Sequence, residues 1–240
     1  MFLSKKISIM QQEWHNLLFL HWSIPVNSLR QYIPEQLEID TYDGSAWIGI
    51  IPFQMRKLRP SFAFPIPPIS NFTEINLRTY VKDKYERKGV WFFSLDTQGP
   101  LGNWIARTFF HLNYRLAETE FITTQASHNT CNFKFPNSEL PKQTLSWQHS
   151  ETTFMPSHDP NSLEFFLTER YRLFSYNPQK DSLLTGTLFH DPYELNRPTL
   201  LKYSTGLFAS NGIQPPSVYP QSVLACKQTK VKVYPIQTVT

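Results

Sequence analysis

The stretch that most constrains this fold is a single hairpin. Residues 71–81, NFTEINLRTYV, alternate Ile75, Leu77, Thr79 and Val81 with Glu74, Asn76, Arg78 and Tyr80. Successive side chains of a strand point to opposite faces, so this strand has one apolar face and one polar, ionisable face. The mixed charges of KDKYERK (82–88), followed by Gly89, read as a solvated tip, and VWFFSLDT (90–97) reads as the returning strand. In an open antiparallel sheet the Glu–Asn–Arg–Tyr row would face water. In a closed sheet one face is the lumen, where a polar row can bind a ligand.

The rest of the chain repeats this grammar. WHNLLFLHWSI (14–24), GSAWIGIIPFQM (44–55), CNFKF (131–135), SLLTGTLFHDPYEL (182–195) and QTKVKVYPI (228–236) are rich in β-branched and aromatic residues and read as strands. Short helices are expected over 26–34, which Pro34 stops, and after Pro160-Asn161-Ser162, an N-cap signal before LEFFL. Residues 99–112 carry helical spacing, with Arg107 and His111 on one face. Nineteen prolines against eight glycines indicate defined bends between short elements. No repeat or linker divides the chain. The expectation is one domain over 1–240, of α+β class and mainly antiparallel β.

Several function classes have no support. A formal charge of +4 is spread over scattered basic residues, and Lys230 and Lys232 alternate with valines as on an edge strand, so no nucleic-acid partner is expected. Cys131 and Cys226, without a CxxC, read as free thiols of a reducing compartment. No apolar run reaches the length of a membrane span and the start lacks a secretory h-region, so the expected location is the cytoplasm with no membrane partner. Seven histidines show no ligand spacing and no metal is expected. His190, in FHDPYEL, reads as part of a turn. With no GxGxxG, GxxxxGK[ST] or GxSxG, no cofactor is expected either. Homo-oligomerisation is not readable from the sequence.

Longer blocks carry a resemblance. SLRQYIPEQLEIDTYDG (28–44) resembles an early segment of acetoacetate decarboxylases, FTE (72–74) resembles that family's Tyr-Thr-Glu, and ARTFFHLNYRLAE (106–118) is similar to the segment supplying its Schiff-base lysine. More closely, LLFLHW, AWIGIIPFQMRKLRP, FTEINLRTYV, GVWFFSLD, LTERYRLF and HDPYEL resemble the YqjF-like family of uncharacterised proteins, within the acetoacetate decarboxylase-like superfamily. The resemblance implies a closed, mainly antiparallel barrel with a few flanking helices and the active site in its lumen.

It also implies a departure. Where the decarboxylases have paired lysines, HLNYRLA has Tyr114 and Arg115. Tyrosine forms no imine, and arginine stays protonated. The expected function is therefore binding or transformation of a small carbonyl or carboxylate compound in the lumen, without Schiff-base chemistry. Glu74 would carry a proton and Arg78 would anchor an anion as the catalytic pair, with Asn76, Tyr80, Arg107, Tyr114 and Arg115 as ligand-binding residues. The rivals are a non-catalytic binding module that lost the lysine, and a surface role for Glu74 and Arg78.

Overall fold

The computed structural model describes residues 7–66, 70–98, 111–124 and 127–239. Seven strands build the principal layer: β1 (Met10–Ile24), β3 (Ala46–Pro60), β4 (Phe72–Asp83), β5 (Lys88–Thr97), β11 (Arg172–Asn177), β12 (Ser182–His190) and β15 (Ser222–Val233). They pair in the order β15-β1-β3-β4-β5-β11-β12, and β12 pairs again with β15, which closes the ring; short strands β2 (Leu37–Ile39), β10 (Thr153–Phe154) and β16 (Gln237–Thr238) lie at its margins. Every ring pairing is antiparallel except β5–β11, a parallel seam of two residue pairs, Leu173 with Val90 and Phe174 with Trp91. Long strands must bend to close a ring. The β1–β3 register shifts between Gln11 and Glu13 and again between His15 and Leu20, with Lys57 and Asn16 at positive φ beside those irregularities. Such bulges increase local twist and bend a strand.

A second sheet, β14-β9-β8-β7, covers part of the outside. It comprises β7 (Glu118–Thr123), β8 (His128–Lys134), β9 (Gln143–Gln148) and β14 (Thr199–Lys202). Its Cys131, Phe133, Leu145 and Trp147 pack with Leu18, Leu20, Trp22, Ile48, Ile50, Ile75, Leu77 and Val81 of the ring. The apolar row of β4 thus lies under the second sheet. Glu74, Asn76, Arg78 and Tyr80 point the other way, into the ring, and are only 3%, 4%, 8% and 0% exposed. Neither face of this strand meets bulk water, which removes the surface reading.

One bulge decides which residues join that interior. Leu77 pairs with Ser94 but Arg78 pairs with Phe92, so Phe93 is the extra residue of β5. Directly paired residues share a face. Phe92 therefore lies on the Arg78 side, while Ser94 and Asp96 turn outward with Leu77 and Ile75.

The helices are short. α1 is Asn27–Arg30, less than the expected 26–34, and α2 is Leu163–Thr168, where Ser162 accepts a hydrogen bond from the Phe165 amide as the sequence indicates. α3 is Gly206–Ala209. The helical pattern over 99–112, including Arg107, falls outside the described residues except for His111 and Leu112. One sequence expectation is corrected. Residues 228–232 lie in β15, a central strand flanked by β1 on one side and by β12 and β13 (Leu195–Asn196) on the other. Lys230 and Lys232 are exposed because they occupy its outer face. Among the described residues no helix is long and apolar enough to cross a membrane.

Candidate functional site

Two polar clusters line the interior face of β4. In the first, the Tyr114 hydroxyl donates to a Glu74 carboxylate oxygen at 3.0 Å. Tyr114 reaches Glu74 because β6 (Tyr114–Leu116) runs parallel to β5, placing Tyr114 beside Leu95, which faces Asn76. Burial raises the Glu74 pKa to about 7, although the hydrogen bonds from Tyr114 and Asn76 oppose the rise. The Tyr114 phenol is pushed well above its usual range, by burial and then by the neighbouring carboxylate. Of the two groups, Glu74 is the one whose ionisation falls near neutral pH.

The second cluster centres on Tyr80. Its hydroxyl lies 2.7 Å from the Leu167 carbonyl oxygen, 2.6 Å from His21 Nε2 and 3.4 Å from Arg78 Nη2. A carbonyl only accepts, so Tyr80 donates to Leu167 and accepts from the other two. His21 is then the Nε2–H tautomer with a bare Nδ1, which has no partner. Burial, and then the Arg78 charge, hold its pKa well below the usual imidazole value, so it is neutral. Gly49 pairs with His21 on one side and Arg78 on the other, and a Cβ there would stand 2.5 Å from the His21 ring. Glycine is what lets the imidazole lie across β3.

Arg78 is the most unusual group in the interior. Its Nη2 donates to the Leu167 carbonyl at 3.0 Å and its guanidinium sits 5.6 Å from the Phe19 ring centroid, but its Nε is buried without a partner. No ion pair of the described residues includes it. The stretches outside the described residues contain no Asp or Glu, so no other side-chain carboxylate is left in the chain to pair with it. A buried cation of this kind is costly without an anion beside it.

Further residues face the same space and carry little sequence signal. His190 is stacked between Tyr171 and Tyr193, with centroids 4.6 and 4.3 Å away, and Trp14 lies 6.5 Å from it. Its Nδ1 donates to the Asp191 carbonyl and its Nε2 has no hydrogen-bond partner. Buried Glu169 accepts from the Tyr193 amide and from the Tyr171 hydroxyl. The segment bearing Leu167 and Glu169 is clamped by Arg170, which donates to the Phe166 carbonyl and pairs with Asp40 at 2.7 Å, both side chains buried. The clues were a lone histidine inside the apolar run LLFLHW, and the charged pair Glu169-Arg170 directly after an apolar helix.

The structure brings Glu74, Asn76 and Tyr114 together, and separately Arg78 and Tyr80. Arg115 joins neither cluster. It follows Tyr114 on a strand and so takes the opposite face, where its guanidinium pairs with Asp96 at 2.8 Å and donates to Ser94 and Ser210. Arg107 lies outside the described residues. Every described lysine is exposed except Lys82, which is half-buried and paired with Glu38 and Glu86. Among the described residues no group of three or more His, Cys, Asp or Glu is placed to hold a metal ion.

Known proteins place this architecture. The family model DUF2071, described as an uncharacterized conserved protein, matches residues 11–230. The uncharacterized protein YqjF of Bacillus subtilis (strain 168) is 37% identical over 191 residues, which is 79% of this chain and 76% of that one. Among solved structures, the enduracididine biosynthesis enzyme MppR complexed with pyruvate superposes with a TM-score of 0.67 at 9% identity, over 99% of this chain and 93% of that one. Acetoacetate decarboxylase from Legionella pneumophila superposes with a TM-score of 0.66 at 10% identity, over 100% and 91%. At such identities the likeness is one of fold. The match over most of the sequence and the extent of the YqjF alignment are of another order: this chain belongs to the DUF2071 family, and it has the acetoacetate decarboxylase-like fold.

Proposed function

We propose that the interior of the strand ring, a barrel lumen in function, binds a small carbonyl or carboxylate compound and moves a proton on it without forming an imine. The observation that carries this reading is Arg78, a guanidinium 8% exposed with an unpartnered Nε and no side-chain carboxylate beside it. A planar fork with free donors suits a carboxylate or an enolate oxygen. Glu74 supports the chemical half. With a pKa of about 7 its ionised form can take a proton from a carbon next to a carbonyl. The C–H electron pair then moves onto the carbonyl oxygen as an enolate, and Glu74 holds the proton as a carboxylic acid until it is returned.

The two groups are four residues apart on β4, roughly 13 Å between their Cα atoms by the strand rise, and the guanidinium leans towards Tyr80. The ligand therefore has to extend several atoms from its anchored oxygens to its acidic carbon. That MppR, on the same fold, was solved with pyruvate supports the carbonyl–carboxylate class. The free, buried thiols of Cys131 and Cys226 suit the cytoplasm as compartment.

Keto carboxylates with several atoms between the carboxylate and the acidic carbon, 2-oxoadipate and 5-oxohexanoate, at millimolar concentration are expected to raise the melting temperature of the protein, and Arg78→Gln is expected to lose that rise. A wild-type melting temperature indifferent to both rejects the reading. A second reading, a binding module without turnover, is favoured by one feature: Tyr114 already occupies the Glu74 carboxylate. Stabilisation by ligand without any product in a metabolite screen selects it. Borohydride reduction in the presence of acetoacetate is expected to leave the protein mass unchanged, because no described lysine is buried. A stable adduct refutes the absence of imine chemistry.

A further inference from the structure

We infer that one end of the ring is a docking surface for an anionic lipid bilayer. The loop after β3 exposes Phe62 by 87%, Phe64 by 90% and Ile66 by 59%, and the segment before β1 exposes Ile7 by 66% and Ile9 by 40%. These two stretches are fastened side by side. The Ser61 amide donates to the Ile9 carbonyl at 2.9 Å, the Ser8 and Ser61 hydroxyls share a hydrogen bond at 3.0 Å, and the Ile9 amide donates to Val233 at 2.8 Å. The loop is also tied within itself. The Ala63 amide donates to Pro60, Arg59 donates to the Ala63 carbonyl, and Ile66 and Ser70 exchange hydrogen bonds from amide to hydroxyl and from amide to carbonyl. The aromatic tip is thus a held structure whose large apolar side chains face water, which is unusual unless something covers them.

The wall adjoining this tip is cationic. Across β3, β1 and β15 one row reads Arg59, Gln11, Lys232 and the next reads Arg56, Glu13, Lys230. Paired residues share a face. Val231 and Val233, which alternate with the two lysines along β15, belong to an inner cluster, so this row is outside. Lys57 joins them, and Glu13, which it pairs with, is the one carboxylate among five cations. Lys5 and Lys6 precede Ile7 in the sequence. Apolar and aromatic side chains that enter the headgroup boundary, beside lysines and arginines that meet anionic headgroups, are the combination an interfacial protein uses.

Charge also argues against a second copy as the occupant. A two-fold interface sets the same patch against itself, and here that would oppose five cations to five. The contact is peripheral, so it needs no long apolar helix, and none occurs among the described residues.

Sedimentation of the full chain with vesicles decides the matter. The protein is expected to co-sediment with vesicles of phosphatidylglycerol and phosphatidylcholine in equal parts, and not with phosphatidylcholine alone. Phe62→Ser with Phe64→Ser, and separately Lys230→Glu with Lys232→Glu, are each expected to cut the bound fraction by about tenfold, with unchanged melting temperatures, since all four side chains are exposed. High salt should release the wild type. Failure to bind anionic vesicles, or undiminished binding by the phenylalanine variant, overturns the inference. So does a concentration-dependent dimer in sedimentation velocity that the phenylalanine variant abolishes, because the occupant is then a second copy.

Discussion

Replacing Glu74 with Gln is expected to make the protein more stable at mildly alkaline pH while abolishing any proton transfer it performs. Burial lifts the Glu74 pKa from 4.5 to about 7. At acid pH, below the unfolded value, the carboxyl is protonated in both states and costs the fold nothing. As pH rises from 4.5 the unfolded chain gains by ionising while the folded chain keeps its proton, so stability drains away until the folded value is passed. At roughly 1.36 kcal/mol per pH unit the full loss is about 3 kcal/mol. Gln escapes this loss and can still accept the Tyr114 hydrogen bond. Melting temperatures of the two proteins should coincide at acid pH, diverge between about pH 4.5 and 7, and stay several degrees apart above neutrality. Parallel curves across the whole range would mean that Glu74 is not held protonated by burial. Unchanged turnover in the Gln variant, on any substrate found, would remove it as the proton carrier.

A second large effect is expected away from the two clusters, at Asp40. Its carboxylate is 5% exposed and holds Arg170, itself 7% exposed, at 2.7 Å. Asp40→Ala leaves a guanidinium buried against Phe166 and Tyr80 with only the Phe166 carbonyl to satisfy it and is expected to cost about 3–5 kcal/mol in urea unfolding. Removing both charges, as Asp40→Ala with Arg170→Met, should recover most of that loss, because the penalty lies in the stranded charge more than in the missing attraction. A double variant no more stable than the single one contradicts this account. Either change also frees the segment carrying Leu167, whose carbonyl accepts from Tyr80 and Arg78, so ligand binding should weaken with it.

The hairpin, the polar row and the cap of α2 were legible in the sequence because each depends on neighbours a few residues away. Alternation over residues 74–81 fixed which side chains share a face, and the resemblance rightly favoured an interior for the polar one. The rest depends on pairings that no local pattern encodes. That Phe93 is a bulge, and so sends Asp96 outward, follows from how β5 meets β4. Arg115 takes the face opposite Tyr114 because both lie on β6, a strand of three residues whose pairing with β5 the local pattern does not reveal. That Arg170 would find Asp40, and that Arg78 would find no acid, requires the positions of all nineteen acidic residues at once. β15 looked like an edge because alternating lysines mark any strand with one wet face, and only the closure of the ring shows that both its edges are occupied.

That closure has a consequence for how the molecule comes into being. β1 is made long before β15, its hydrogen-bonded neighbour, and β12 completes the ring through Val231–Val233. Until residues 222–233 have left the ribosome, one flank of β1 has no neighbour and the interior with its buried Arg78 is open to water. Contacts spanning nearly the whole chain form slowly, and unpaired strand edges attract one another meanwhile. A growing chain of this kind stays an unfinished sheet until Ser222–Val233 has been made, and its burden on the cell's chaperones is set by that strand.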